Sequence, residues 1–180
     1  MLTVQNTILL VIDVQERLFP LIFEKEQLLK NLENLIKGAK ILGIPILLTE
    51  QAPDKVGKTI AQLSLLFNSQ KPLEKMTFSC FADANFVQVL GSQEGRREIL
   101  IAGIETHVCV YQTARDLLNA GYDVQVVADA VSSRTKENKN IGLERIKAEG
   151  GTLTSTETAL CELLQRAEGE KFKEIIKLIK

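Results

Sequence analysis

A three-layer α/β fold built on a six-stranded parallel sheet, with the Rossmann-like strand order 3-2-1-4-5-6, is predicted by three observations. Short apolar runs alternate along the chain with segments whose apolar residues recur at three and four positions. The runs are rich in β-branched residues and lack polar alternation, as strands covered on both faces do. The helical segments tend to stop at glycine, as at Gly43, Gly91 and Gly121.

The first strand is Ile8 to Ile12, ending at Asp13. Pro20 suits the first turn of a helix, and from Leu21 onward Ile22, Leu28, Leu29, Leu32, Leu35, Ile36, Ala39 and Leu42 trace one helical face as far as Gly43. The second strand, Ile44 to Leu48, ends at Thr49 and Glu50. A loop from Gln51 to Lys58, a short apolar segment from Ile60 to Phe67 and a minor strand near Pro72 to Met76 follow, and Phe86, Val87, Val89 and Leu90 read as helix. A clear strand at Glu98 to Ala102 stops at Gly103, and Val108 to Ala120 presents an apolar helical face. Next come a strand at Asp123 to Ala128, a helix at Ile141 to Ala148, a brief strand at Thr152 to Thr154 and a helix at Thr158 to Arg166. Phe172, Ile175, Ile176 and Ile179 form a stripe on a last helix, Glu170 to Lys180, ringed by lysines. Its expected place is on its own domain; docking on a second subunit or on a membrane surface are the other readings.

The chain has 180 residues with no repeat or linker, which predicts one domain over residues 1–180. Lys plus Arg number 22 against 23 Asp plus Glu, so the formal charge is -1 and no basic excess suits a nucleic acid. The apolar runs are too short to span a membrane, and Met1 to Thr7 lacks the pattern of an export signal. Three cysteines, Cys80, Cys109 and Cys161, with no C-x-x-C spacing and one histidine, exclude a disulfide framework and a Cys/His zinc site. A cytoplasmic location, no metal and no cofactor are the resulting expectations.

Ligands of open parallel sheets bind beyond the carboxyl ends of the strands, where strand order reverses. In the predicted order that crevice lies between Asp13 and the segment Gly103 to Cys109. Cys109 would open a helix opposite Asp13, with its thiolate favoured by the helix terminus and its proton within reach of a carboxylate. A small residue packed on the sheet is the bland alternative for Cys109, and a capping role is that for Asp13. Cys80 and Cys161 are read as core or surface thiols. No G-x-G-x-x-G follows the first strand, which argues against a nucleotide-binding Rossmann protein.

Three segments carry a resemblance. Leu10 to Gln15, Leu73 to Ser79 and Ile101 to Val110 are similar to the signatures of the isochorismatase-like cysteine hydrolases, and the similarity continues through Thr113 to Leu117 and Asp129 to Arg134. Thr49-Glu50-Gln51 and Phe172 to Ile175 resemble the isochorismatase domain-containing branch. The resemblance implies a Cys-Asp-Lys triad of Cys109, Asp13 and Lys75 that cleaves a C-N bond of an amide or ureide through an acyl-enzyme. It also implies a cis peptide between Ile104 and Glu105, with the Glu105 and Cys109 N–H groups as an oxyanion hole. The Asp-x-His pair of the nicotinamidases is missing, because Thr49 to Asp54 holds no histidine. Gln15, Phe19, Gln51, Phe78 and Tyr111 flank the motifs as expected substrate contacts. Arg17 and Arg134 are the available anion clamps, and neither is obviously placed, so a small, weakly charged amide is the expected substrate. The family implies a homo-oligomer, dimer or larger, for which the C-terminal stripe would offer apolar surface. A binding or scaffold protein on the same fold, with Cys109 inert, is the alternative. Replacing Lys75 by Met is expected to separate the two, abolishing turnover in the enzyme with little loss of stability.

Overall fold

Buried along its whole length, β1 (Thr7–Ile12) is the axis of the sheet. In the computed structural model, which describes residues 1–68, 70–93 and 95–180, it pairs on one side with β2 (Ile46–Gln51) and on the other with β4 (Glu98–Ile104). With β3 (Leu73–Lys75), β5 (Asp123–Ser132) and β6 (Thr152–Thr154) the order is β3-β2-β1-β4-β5-β6, every neighbouring pair parallel, as predicted.

Alternate strand residues feed two separate cores. Leu9, Val11, Leu48, Leu100 and Ala102 point into the layer of α1 (Lys25–Leu42), α3 (Ala61–Phe67), α7 (Thr156–Leu164) and α8 (Gly169–Ile179). Ile8, Leu10, Ile12, Leu47, Ile99 and Ile101 meet the opposite layer, α4 (Ala84–Gly91), α5 (Tyr111–Asn119) and α6 (Lys136–Ala148). That division explains the absence of polar alternation in the strands: both faces are dry.

The elements differ from their predicted bounds in a few places. Phe19–Leu21 forms a short 3-10 turn and Glu24 takes a left-handed conformation, so the helix expected from Leu21 begins at Lys25. β2 runs on through Gln51 because β3 pairs with Thr49, Glu50 and Gln51. The single-turn helix α2 (Pro53–Val56) occupies part of the expected loop. The C-terminal helix lies on its own domain, the first of its three readings: Ile175 is fully buried, and Leu178 and Ile179 pack on the same core. Gly38 of α1 makes room for it, since a methyl there would lie 2.4 Å from Leu160 Cδ2 and 3.3 Å from Ile175 Cδ1. Ile175 and Ile179 of the stripe are therefore packed on the chain itself, while Phe172 and Ile176 stay partly exposed. Among the described residues no helix is long and apolar enough to cross a membrane.

Gly103 determines how closely the two central strands meet. Its φ is +118°, and a Cβ would stand 2.1 Å from the Ile12 carbonyl oxygen, immediately before Asp13. Only a residue without a side chain tolerates both the conformation and the contact. Gly103→Ala is expected to destabilise the protein by about 3 kcal/mol, read as a lowered urea midpoint; an unchanged midpoint would show that β4 can retreat from β1 freely.

Candidate active site

Four of the chain's chemically versatile side chains converge at the carboxyl ends of β1, β3 and β4. Asp13 leaves β1 in a left-handed turn (φ 53°), which a short polar side chain tolerates, and its carboxylate is completely buried. Lys75, the last residue of β3, places Nζ 2.6 Å from Asp13 Oδ2, with its side chain 1% exposed. The ammonium also donates to Gln51 Oε1 at 3.0 Å and to the Thr77 and Phe78 carbonyls at 3.2 and 3.3 Å. On the other carboxylate oxygen, Thr49 Oγ1 donates to Oδ1 at 2.7 Å. Burial acts to lower the Lys75 pKa, but the neighbouring Asp13 charge opposes it, and the net direction is upward. The ammonium is thus held charged at neutral pH.

Two thiols share this ion pair. Cys80 sits with Asp13 and Lys75, fully buried; its N–H donates to Thr113 Oγ1 at 2.9 Å and its Sγ lies 3.9 Å from Thr49 Oγ1. Burial, then the Asp13 charge, pushes its pKa up to about 12. Cys109, 7% exposed, is pushed higher still by burial, with Asp13 acting on it both as a negative charge and as a hydrogen-bond acceptor; Lys75 opposes this. The expected thiolate is therefore a thiol in the resting protein. Loss of hydration and a nearby carboxylate outweigh one ammonium.

The turn that carries Cys109 is unusual. Residues Thr106–Val110 form a π-type turn ahead of α5, so Cys109 does not open a regular helix. The Glu105 carbonyl accepts from Val108 N at 3.0 Å and from Val110 N at 3.2 Å, passing over the Cys109 N–H between them. The Ile104–Glu105 peptide is cis, as the resemblance implied. Glu105 is tied down by its carboxylate, which accepts from the N and Nε of Arg134, both at 3.1 Å. Gly142 of α6 packs against the turn so closely that a methyl would lie 2.7 Å from the Thr106 carbonyl.

The expected substrate contacts fare differently. Gln15 is buried and consumed by structure: Nε2 donates to the Gln51 and Gly57 carbonyls, and Oε1 accepts from Gln51 N. Gln51 reaches the site, but it holds Lys75 and the Met76 carbonyl. Phe19 packs on the α1-side core. The Phe78 ring is 56% exposed while its carbonyl binds Lys75. Tyr111 turns away altogether, its hydroxyl between Arg145 and Glu149 and its ring 4.0 Å from the Arg145 guanidinium carbon. Both anion clamps are engaged, Arg17 on the Lys55 carbonyl and Arg134 on Glu105. A cleft of about 380 Å³ beside Lys75 is lined by Asp54, Glu74 and Asp83 among others. No cluster of His, Cys, Asp or Glu suited to a metal ion occurs among the described residues.

Sequence reasoning passed over two members of the site, Thr49 and Cys80. Thr49 pairs with Ile12 across from the end of β1, so the strand order alone could have brought it to Asp13. Cys80 follows the Lys75 motif directly, and only the short turn after β3 folds it back.

The isochorismatase domain pattern matches residues 7–158. The secreted isochorismatase effector Isc1 of Phytophthora sojae is 38% identical over 178 residues, covering 97% of this chain and 85% of its own. Isochorismatase domain-containing protein 2 of Danio rerio is 36% identical, with 99% and 89% covered. Of solved structures, the MAR1 ribonuclease from Caenorhabditis elegans aligns with a TM-score of 0.91 at 34% identity, over 99% of this chain and 91% of that one. YcaC from Pseudomonas aeruginosa shares the fold with a TM-score of 0.92 at 24% identity, over 98% and 90%. With the domain pattern covering most of its length and relatives well above 30% identity along nearly all of it, the chain belongs to the isochorismatase family.

Proposed function

We propose that the chain is a cysteine hydrolase that opens a C–N bond of a small amide or ureide through an acyl-enzyme on Cys109. The observation that carries this reading is a buried thiol close to the charged Asp13–Lys75 pair, in a turn whose Cys109 N–H the Glu105 carbonyl bypasses. Cys109 is favoured over Cys80 on access and backbone: Cys80 is fully buried and its N–H is bound to Thr113, whereas Cys109 keeps a little exposure. As Sγ attacks the carbonyl carbon, its proton passes to Asp13, and the oxyanion takes the Glu105 and Cys109 N–H groups. Asp13 then protonates the leaving nitrogen as the C–N bond breaks. Water, giving its proton to Asp13, attacks the thioester and restores the thiol. Lys75 balances the negative charge that moves between sulfur and carboxylate. Engaged arginines and the carboxylates lining the nearby cleft favour a neutral or cationic substrate over an acid.

In this reading residues 1–180 act as one unit, in the cytoplasm, as three free thiols suggest. Self-association as a dimer or larger assembly is part of it, supported by the Escherichia coli YcaC gene product, described as an octameric hydrolase. Sedimentation as a monomer at micromolar concentration would remove that part. Isochorismatase action, suggested by the name of the Isc1 relative, is a second reading; it cleaves a vinyl ether and needs no covalent thiol. A non-catalytic scaffold is the third.

A screen of amides and ureides for released ammonia, run with the wild type and Cys109→Ala, separates all three. Cys109-dependent release supports the proposal, vinyl-ether cleavage that survives Cys109→Ala favours the second, and inertness toward both leaves the scaffold. Asp13→Asn is expected to dissociate reactivity from turnover. Removing the charge that holds the Cys109 thiol up should speed iodoacetamide alkylation of Cys109 near neutral pH by about tenfold or more, while turnover drops by roughly 10³-fold. Equal or slower alkylation would contradict the effect of the Asp13 charge on the Cys109 thiol.

Lys75→Met is now expected to cost stability as well as turnover, contrary to the expectation from sequence. It leaves the Asp13 carboxylate buried without a counter-charge, and such losses amount to about 3–5 kcal/mol. Chemical denaturation of the variant measures this, and a loss below about 1 kcal/mol would mean that solvent reaches the pair.

A further inference from the structure

We infer that Thr49 is a positioning residue for this hydrolysis, setting through Asp13 how readily the Cys109 thiol releases its proton; the inference rests on reading Cys109 as the nucleophile. Asp13 is approached from four elements. Thr49 from β2 donates to Oδ1, Lys75 from β3 donates to Oδ2, Cys80 stands in the turn after β3, and Cys109 faces the carboxylate from the turn after β4. Gln51, two residues along β2 from Thr49, touches the pair through Lys75.

The direction of the Thr49 hydrogen bond is imposed from behind. A hydroxyl has one proton to give, and an ionised carboxylate can only accept. Cys80 keeps its proton at neutral pH and lies 3.9 Å from Thr49 Oγ1, so its S–H points at the hydroxyl oxygen. The chain Cys80 S–H to Thr49 O–H to Asp13 Oδ1 is thereby polarised toward Asp13. The positive end of the hydroxyl dipole offsets part of the charge that Asp13 presents to Cys109. Lys75 does the same on the other oxygen with a full charge.

The strand itself has no need of the hydroxyl. Thr49 is fully buried, and a valine would fill the same volume, suit a strand equally well and avoid desolvating a polar group. What Thr49→Val removes is the contact with Asp13 and Cys80 and little else. With less of the carboxylate charge offset, the Cys109 thiol should hold its proton more tightly.

The test is the rate of Cys109 alkylation by iodoacetamide near neutral pH, followed by peptide mass spectrometry in the wild type, Thr49→Val, Thr49→Ser and Asp13→Asn, each checked by circular dichroism to be folded at the assay temperature. Thr49→Val should slow alkylation about fivefold, part of what a hydrogen bond to a carboxylate contributes, and Thr49→Ser should restore most of the rate. A rate unchanged in Thr49→Val overturns the inference. So does a faster rate, because loosened packing exposes the thiol and accelerates it. If Asp13→Asn also leaves Cys109 unaltered, the nucleophile assignment fails with it; if Asp13→Asn accelerates the reaction and Thr49→Val does nothing, only the role of Thr49 is lost.

Discussion

The buried ion pair between Asp13 and Lys75 is the constraint on which the rest of the site depends. Two opposite charges almost wholly removed from water are tolerable only when each is paired and its remaining hydrogen-bonding capacity is met. Much of the carboxyl edge of the sheet answers that need. Thr49 satisfies one carboxylate oxygen, and Gln51 with the Thr77 and Phe78 carbonyls satisfies the ammonium. Gln15 in turn fixes Gln51 and the Gly57 loop from beneath. Gln15, Gln51 and the Phe78 carbonyl are thus part of the frame that holds one charged pair still.

The pair also fixes the state of the thiols. A carboxylate held in a dry site repels any second negative charge, so both nearby cysteines rest as neutral thiols. Nucleophilic character is then created only when a substrate draws the proton across to Asp13. Such a site stays quiet toward stray electrophiles and shifts the energetic burden to the chemical step, where in the proposed mechanism the Glu105 and Cys109 N–H groups take the oxyanion.

The fold was legible because its signals are long and redundant. Continuous apolar runs such as Ile8 to Ile12 can only be strands covered on both sides, and the helices between them oblige the sheet to be parallel. The pairing of Asp13 with Cys109 followed from topology, since both end neighbouring strands at the switch point. Lys75 came from family resemblance alone: β3 is three residues long, and no periodicity marks its last side chain as buried. What sequence could not convey was orientation. Tyr111 lies two residues after the thiol yet faces α6, because side chains two apart along a helical segment point to opposite sides. Cys80, read from the sequence as a core or surface thiol, is indeed buried, and the turn after β3 also brings it close to Asp13.

The neutral resting thiol of Cys109 beside an ionised pair is the central claim, and thiolate ultraviolet absorbance tests it most directly, as the difference between the wild type and Cys109→Ala across a pH titration. The account predicts no thiolate signal from Cys109 at neutral pH, with absorbance appearing only above the ordinary thiol range. A thiolate band present at neutral pH and lost in Cys109→Ala would contradict it.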